Sequence, residues 1–275
     1  MKFAICQEMF VDWNWERQCK LIREIGYTGI EVAPFALADR MTDVTPEQRR
    51  EVRQIAEDNE LTIIGLHWLL AKTEGLHLTT ADTAVREATS RYLEELAHAC
   101  ADLGGDIMVF GSPQQRNIEE GMSRETAEAN AVEVFRRAMP TLEARGVTLC
   151  MEPLTPKETN FVNTCADAMR LIEQVDSPNF KLHQDVKAML GAEEESIPTL
   201  IEKYKDQTRH FHVNDTNLLG PGMGETDYVP IFEALLNSNY QGWVSVEVFD
   251  YTPGAEQIAR ESYNNMRDVL AQISR

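Results

Sequence analysis

Four side chains of the kinds that bind divalent metal ions follow four short apolar runs in the second half of the chain. Glu152 follows VTLCM, Asp185 follows FKLHQ, His212 follows TRHF, and Glu247 follows WVSV. Each run has the length and bounds of a buried strand, and helix-length segments separate the runs. In a barrel of parallel strands the carboxyl ends converge on one mouth, so these four side chains would meet at one point. Their oxygen and nitrogen atoms suit a divalent cation.

The whole chain repeats this alternation of strand and helix. The predicted strands are 3–6, 29–32, 61–67, 106–110, 147–151, 180–184, 209–213 and 243–248. The predicted helices are 15–26, 46–59, 84–104, 124–146, 163–175, 196–206, 229–237 and 256–274. Eight such units in about 250 residues predict a closed (β/α)8 TIM barrel. The alternative is a doubly wound open sheet, which the lack of a GxGxxG turn after the first strand disfavours. No linker interrupts the pattern, so residues 1–275 are predicted to form one domain.

The composition excludes several classes of partner. The 275 residues carry a net charge of −19, which repels nucleic acid and anionic membrane surfaces. No apolar stretch is long enough for a membrane span or a signal peptide. The five cysteines are scattered without a CxxC pair and indicate free thiols in a reducing compartment. We therefore expect a cytoplasmic enzyme that acts on a small molecule.

The prediction of a metal site depends on the combination of residues, because a single polar residue at a strand end is common. Three carboxylates at one mouth repel one another unless a cation neutralises them. Mn²⁺, Mg²⁺ or Co²⁺ suits two glutamates, an aspartate and a histidine better than a structural zinc site, which prefers thiolates and imidazoles. His183 and His210 lie in the same runs, and strand alternation alone does not say whether they join the site.

The motifs resemble the xylose-isomerase-like barrel superfamily, and within it the ketose 3-epimerases, over essentially the whole chain. The segments MEPLTPKETNFVNT and HVNDTNLLGPGMGETDY are similar to the family's stretches after strands five and seven. The resemblance implies that the four residues bind one divalent ion, that Glu152 and Glu247 also act as acid and base, and that Glu158 contacts the substrate. Two positions depart from the family. Ala188 and Leu218 stand where epimerases usually carry a histidine and an arginine that hold the ketose oxygens.

The implied chemistry is proton transfer next to a carbonyl through an enediolate that the metal stabilises. Return of the proton to the opposite face gives epimerisation, and return to the adjacent carbon gives aldose–ketose isomerisation. The predicted function is a sugar isomerase or epimerase. The alternative is a metal-dependent lyase or dehydratase that acts on a keto-sugar or a related cyclic polyol. An apurinic-site nuclease and a non-catalytic sugar-binding barrel fit the charge and the acidic residues less well. By analogy with such barrels, a homodimer or homotetramer is expected.

Further residues are placed at the predicted mouth. His67 either contacts the substrate or is a packed, hydrogen-bonded histidine, and Trp68 beside it could stack on a sugar face. Lys187 either replaces one of the missing substrate contacts or is a solvated lysine. Arg116 either binds a phosphate or carboxylate or stabilises its own loop. Glu31 either binds a sugar hydroxyl or forms a structural ion pair.

Overall fold

The eight predicted strands form one closed parallel barrel in the order of the sequence. The computed structural model describes residues 1–274, so Arg275, the last residue of the predicted domain, lies outside the described residues. The strands are β1 Lys2–Cys6, β2 Gly29–Val32, β3 Thr62–Leu66, β4 Ile107–Phe110, β5 Thr148–Met151, β6 Phe180–Asp185, β7 Thr208–Val213 and β8 Trp243–Val246. Pairing of β1 with β8 closes the barrel. The prediction of a (β/α)8 barrel is confirmed.

The helices surround the barrel, and residues 1–274 contain one more α-helix than the sequence predicts. They are α1 Trp15–Ile25, α2 Pro46–Asp58, α3 Thr83–Leu103, α4 Arg124–Arg145, α5 Cys165–Val175, α6 Val186–Ala192, α7 Ile197–Tyr204, α8 Val229–Asn237 and α9 Ala255–Ile273. The additional helix, α6, begins directly after β6, and Asp185 caps it by accepting a hydrogen bond from the Ala188 backbone N–H. No helix within residues 1–274 is long and apolar enough to cross a membrane.

Local sequence signals set the bounds of the predicted helices. Thr45 and Gln48 form a reciprocal capping box at the start of α2, with Pro46 in the first turn. Gly104 and Gly146 end α3 and α4 in the left-handed conformation that glycine adopts without steric cost. These two stops end α3 and α4 shortly before β4 and β5 begin.

The interior of the barrel changes from apolar to polar along its axis. Ile107, Val109 and Cys150 pack together as a small apolar cluster, with Trp243 against it. Nearer the carboxyl ends of the strands, the fully buried side chains are polar or charged and include Glu31, His183, His210, His212 and Ser245. Buried polar groups are costly unless they are paired, so this layer must be held by hydrogen bonds or ions. Its residues carry the site.

Gly65 allows β3 and β4 to approach closely. A Cβ atom at this position would lie 2.0 Å from the Ile107 carbonyl oxygen, which is backbone and cannot move aside easily. We expect Gly65→Ala to lower the free energy of unfolding by about 1–3 kcal/mol through overpacking. Urea denaturation of the variant and the wild type measures this difference. Gly75→Ala is the matched control, because it adds a Cβ in open space at a φ of 71° and so reports backbone strain alone. A Gly65→Ala variant as stable as the wild type would contradict the prediction.

Candidate metal centre and substrate cavity

The structure brings the four predicted ligands together at the carboxyl-terminal mouth of the barrel. Ligand atoms of Glu152, Asp185 and His212 lie within 4.8 Å of one another. Glu247 Oε2 lies 3.2 Å from His212 Nδ1. All four side chains are buried, and the most accessible of them, Glu152, is 5% exposed. Three carboxylates and an imidazole therefore share one nearly dry volume.

His183 is a fifth side chain at this point, which the sequence did not assign. It lies within 4.8 Å of the Glu152, Asp185 and His212 ligand atoms, and its Nε2 is 4.0 Å from Glu152 Oε1. Neither ring nitrogen has a hydrogen-bond partner among residues 1–274. Burial, together with the neighbouring imidazoles of His212 and His210, lowers the pKa of His183 well below its usual value. The ring is therefore neutral, which is the form that binds metals.

The charges at the mouth are incompletely balanced by the protein alone. Burial, Glu247 and Asp185 together raise the pKa of Glu152 well above its usual value. Burial also raises the pKa of Asp185 against the opposing effect of Lys187. Burial alone would raise the pKa of Glu247, but His212, His67 and Lys187 together lower it below its usual value. A divalent cation would let all three carboxyls ionise, so the donor set fits such an ion.

Glu31 fixes the orientation of His212. This carboxylate on β2 is fully buried, and its Oε2 lies 2.8 Å from His210 Nε2 and 3.1 Å from His212 Nε2. The two imidazoles outweigh burial and lower the pKa of Glu31 well below its usual value. An ionised carboxylate only accepts hydrogen bonds, so His212 Nε2 carries the proton and Nδ1 faces Glu247. Of the two sequence interpretations of Glu31, the structural pairing is the one that this geometry fits.

Asp185 is held by two donors from neighbouring elements. Asn214 Nδ2 donates to Asp185 Oδ2 at 2.6 Å, and the Ala188 backbone N–H donates to Oδ1 at 2.7 Å. Asn214 Oδ1 in turn accepts a hydrogen bond from the Lys187 backbone N–H at 2.8 Å. A carboxylate has about four lone-pair directions, so both oxygens keep capacity for a further partner.

A cavity of about 450 Å³ opens above these side chains. Its lining consists of Trp68, Ala71, Lys72, Gly111, Ser112, Pro113, Gln114, Gln115, Glu152, Leu154, Glu158, Glu247 and Phe249. Trp68 Nε1 donates to Glu247 Oε1 at 2.8 Å, which fixes the indole beside the carboxylate. A Cβ atom at Gly111 would lie 2.3 Å from Glu152 Oε2, so a side chain at this position would displace the carboxylate. The predicted contacts Trp68 and Glu158 both line the cavity.

Lys187 and Glu158 form an ion pair beside the cavity. Lys187 Nζ donates to Glu158 Oε1 at 2.9 Å and lies 3.9 Å above the ring of Phe249. Lys187 is only 9% exposed, which excludes the interpretation as a solvated lysine. Asp185 and Glu158 outweigh burial and raise the pKa of Lys187, so the ammonium stays charged. Phe249 is a wall residue that the sequence analysis missed, and its position two residues after Glu247 was the available signal.

His67 and Arg116 lie outside the cavity lining. His67 is fully buried, and its Nε2 is 2.7 Å from Glu8 Oε2, as expected for a packed, hydrogen-bonded histidine. Arg116 is also fully buried and donates to the backbone carbonyls of Glu152 at 2.6 Å and Val162 at 3.4 Å. Burial lowers the pKa of Arg116 to about 10. Both side chains therefore support the loops around the site. For Arg116, this geometry fits the interpretation that it stabilises a loop.

The pairing of Glu31 with His212 predicts an effect on metal affinity. We expect Glu31→Gln to weaken Mn²⁺ binding about 10- to 100-fold, because the uncharged amide no longer fixes the proton on Nε2. Titration calorimetry of the wild type and the variant measures the dissociation constants. Glu60→Gln, which changes an exposed glutamate on the surface, is the control. Equal affinities for the wild type and Glu31→Gln would contradict this role.

Metal binding is also expected to release protons. Glu152 and His212 both have pKa values above their usual range in the metal-free protein, and both must be deprotonated to bind a cation. Because protons compete with the metal for these groups, the apparent Mn²⁺ affinity should rise as the pH rises from about 5.5 to about 8. Calorimetry in buffers of different ionisation enthalpy measures the released protons directly. An affinity that stays constant over this range would count against the site.

Comparisons with known proteins place these features in a family. A 3-dehydro-D-guloside 4-epimerase of Escherichia coli is 32% identical, over 90% of this chain and 92% of that protein. A D-psicose 3-epimerase of Enterocloster bolteae is 28% identical, over 90% of this chain and 82% of that protein. The solved structure of D-psicose 3-epimerase with D-tagatose from Clostridium cellulolyticum H10 superposes with a TM-score of 0.86 at 22% identity, over 99% of both chains.

The family described as xylose isomerase-like TIM barrel matches residues 19–269. The relatives are epimerases, which are isomerases, so the predicted enzyme class is confirmed together with the predicted resemblance. The chain belongs to the xylose isomerase-like TIM barrel family.

Proposed function

We propose that the chain is a divalent-metal-dependent sugar epimerase or isomerase that moves a proton on a carbon next to a carbonyl. The observation that carries this proposal is the convergence of Glu152, Asp185, His212 and Glu247 at one point, where Glu152 and Glu247 also line a cavity. The curated relatives named above support it, because their names describe epimerases of keto-sugars. None of those names describes a lyase or a dehydratase, which were the alternative.

Glu152, Asp185, His212 and Glu247 would hold one Mn²⁺, Mg²⁺ or Co²⁺, with His183 close to the same point. When bound, such an ion withdraws electron density from the substrate carbonyl and so acidifies the neighbouring C–H bond. The mixture of carboxylate and imidazole ligands favours these ions over a thiolate-preferring structural zinc site. Hydrogen bonds from Asn214 and the pairing with Glu31 set the orientation of two of the four residues before any ion arrives.

Glu152 and Glu247 would exchange the proton. They follow β5 and β8, which are separated in the barrel by the strands of Asp185 and His212, and both line the cavity. One carboxylate takes the proton from the carbon, and the other returns a proton to the opposite face, which inverts that centre. Trp68 Nε1 holds Glu247 Oε1, and Arg116 holds the Glu152 backbone, so each group is fixed by a partner of its own. The overall composition of the sugar does not change.

Substrate hydroxyls would bind to the pair of Glu158 and Lys187. Both groups are charged, and Glu158 also accepts from the backbone N–H and the hydroxyl of Thr155 at 3.1 and 2.8 Å. The family's usual histidine is replaced by buried Ala188, which leaves Lys187 as the cation on this side of the mouth. Trp68 and Phe249 offer aromatic faces to the apolar side of a sugar ring. A homodimer or homotetramer and a cytoplasmic location remain predictions.

Replacement of either acid–base candidate tests the proposal. We expect Glu152→Gln and Glu247→Gln each to lower the rate of proton exchange at least about 100-fold, because the amide can neither take nor give the proton. Proton NMR of Mn²⁺-loaded protein in D₂O, with a panel of ketoses and keto-sugars, measures deuterium entry at each carbon. Glu202→Gln, an exposed surface change, is the matched control. Exchange by Glu152→Gln and Glu247→Gln at the wild-type rate would contradict the proposal.

A further inference from the structure

His183 is the one fully buried histidine within residues 1–274 whose ring has no hydrogen-bond partner. The other three, His67, His210 and His212, each have a ring nitrogen within hydrogen-bond distance of a buried glutamate. Neither ring nitrogen of His183 has such a partner in that range. Buried polar groups are almost always paired, so this ring indicates a ligand that the protein chain does not itself supply.

The gap between His183 and Glu152 has the width that a cation requires. His183 Nε2 lies 4.0 Å from Glu152 Oε1, which is too far for a hydrogen bond. A water that bridged the two atoms through hydrogen bonds of about 2.8 Å at a tetrahedral angle would need them about 4.6 Å apart. Two ligand atoms at about 2.0–2.2 Å from one cation lie at most about 4.4 Å apart, so the observed gap fits a shared ion better than a shared water.

The barrel register places His183 one layer below Asp185. The two side chains lie two residues apart on β6, so they point to the same side of the strand. On the neighbouring strand β7, His210 pairs with His183 in register and His212 pairs with Asp185. In the lower layer His210 Nε2 is paired with Glu31 at 2.8 Å. His183 has no such pairing, and its ligand atom lies within 4.8 Å of those of Asp185 and His212.

We propose that His183 Nε2 is a fifth ligand of the divalent cation, beside the four residues already described. The inference rests on the proposed function, because it concerns the same ion, and it adds a residue to the four that the family resemblance implies. Two imidazole nitrogens and three carboxylates then bind the ion. The unpartnered ring and the 4.0 Å gap are both explained by this one contact.

A second imidazole changes which ion the site prefers. Carboxylate oxygens suit Mg²⁺ and Mn²⁺, whereas imidazole nitrogens suit the later transition metals and zinc. At sites of mixed nitrogen and oxygen ligands, affinity rises from Mn²⁺ to Co²⁺. Mg²⁺ also gives up its water reluctantly, and both His183 and Asp185 are almost completely removed from solvent. The site therefore selects Co²⁺ over Mg²⁺, and His183 supplies much of the difference.

Proton NMR of the Co²⁺-loaded full chain counts the histidine ligands without an activity assay. Bound Co²⁺ moves the ring N–H proton of each ligand histidine far outside the normal spectral range, so each ligand gives one resolved resonance. We expect two such resonances in the wild type and one in His183→Gln. The control His98→Gln, which changes an exposed histidine on α3, should keep both.

The outcomes of this count separate the inference from the proposed function. A single shifted resonance in the wild type, or two that both persist in His183→Gln, would overturn the inference and leave the four-residue metal site in place. No shifted resonance from a protein that has bound Co²⁺ would overturn the proposed metal site, and the inference with it.

Metal affinities test the selectivity that His183 supplies. We expect His183→Gln to weaken Co²⁺ binding about 10- to 100-fold and Mg²⁺ binding less than about threefold, as measured by titration calorimetry against the wild type. Circular dichroism of the metal-free variant checks that it is folded. A histidine that only filled space would change both affinities by the same factor, and that result would overturn the inference.

Discussion

The repulsion among three buried carboxylates at one barrel mouth is the constraint on which this structure depends. Glu152, Asp185 and Glu247 reach the mouth on three different strands and are almost fully removed from water. A buried anion is stabilised only by a partner of opposite charge or by several donors. The protein supplies His212 and Lys187 nearby, yet Glu152 still has a raised pKa. The remaining imbalance is what a divalent cation would remove.

The surrounding residues hold this charged cluster in one geometry. Each of the four residues is fixed by a contact from a different part of the chain: His212 by Glu31, Asp185 by Asn214, Glu247 by Trp68 and the Glu152 backbone by Arg116. These partners sit on other strands and loops, so the barrel closure itself aligns them. The same principle explains the fully buried polar layer below the mouth. In that layer Glu31 pairs with His210 and His212, whereas neither ring nitrogen of His183 has a hydrogen-bond partner among residues 1–274.

Much of this arrangement could be predicted from the sequence, because it follows from periodic patterns. The eight strand runs predicted the barrel, and the residues at their ends predicted which side chains would meet. The short helix α6 was missed because only the cap by Asp185, itself a site residue, marks its start. The role of His183 and the pairing of Glu8 with His67 depend on side-chain packing between distant strands. Strand alternation shows which way a side chain points and does not identify its partner.

The interpretations of Arg116 and Lys187 show the same limit. The sequence places both residues near the mouth but cannot say whether a guanidinium meets a ligand or a backbone carbonyl. It likewise cannot show that Lys187 is buried against Phe249 and Glu158. Phe249 and the loop after β4 shape the cavity through tertiary contacts alone. The meeting of the charged residues at the mouth thus follows from the strand pattern, whereas the shape of the cavity depends on how the loops fold.

The location of a bound metal tests the account most directly. A crystal of the protein grown with Mn²⁺ and measured near the manganese absorption edge would show the ion by anomalous scattering. The account predicts one peak within about 2.0–2.3 Å of ligand atoms from Glu152, Asp185, His212 Nδ1 and Glu247. A fully loaded protein with its peak elsewhere, or with no peak at the mouth, would contradict it.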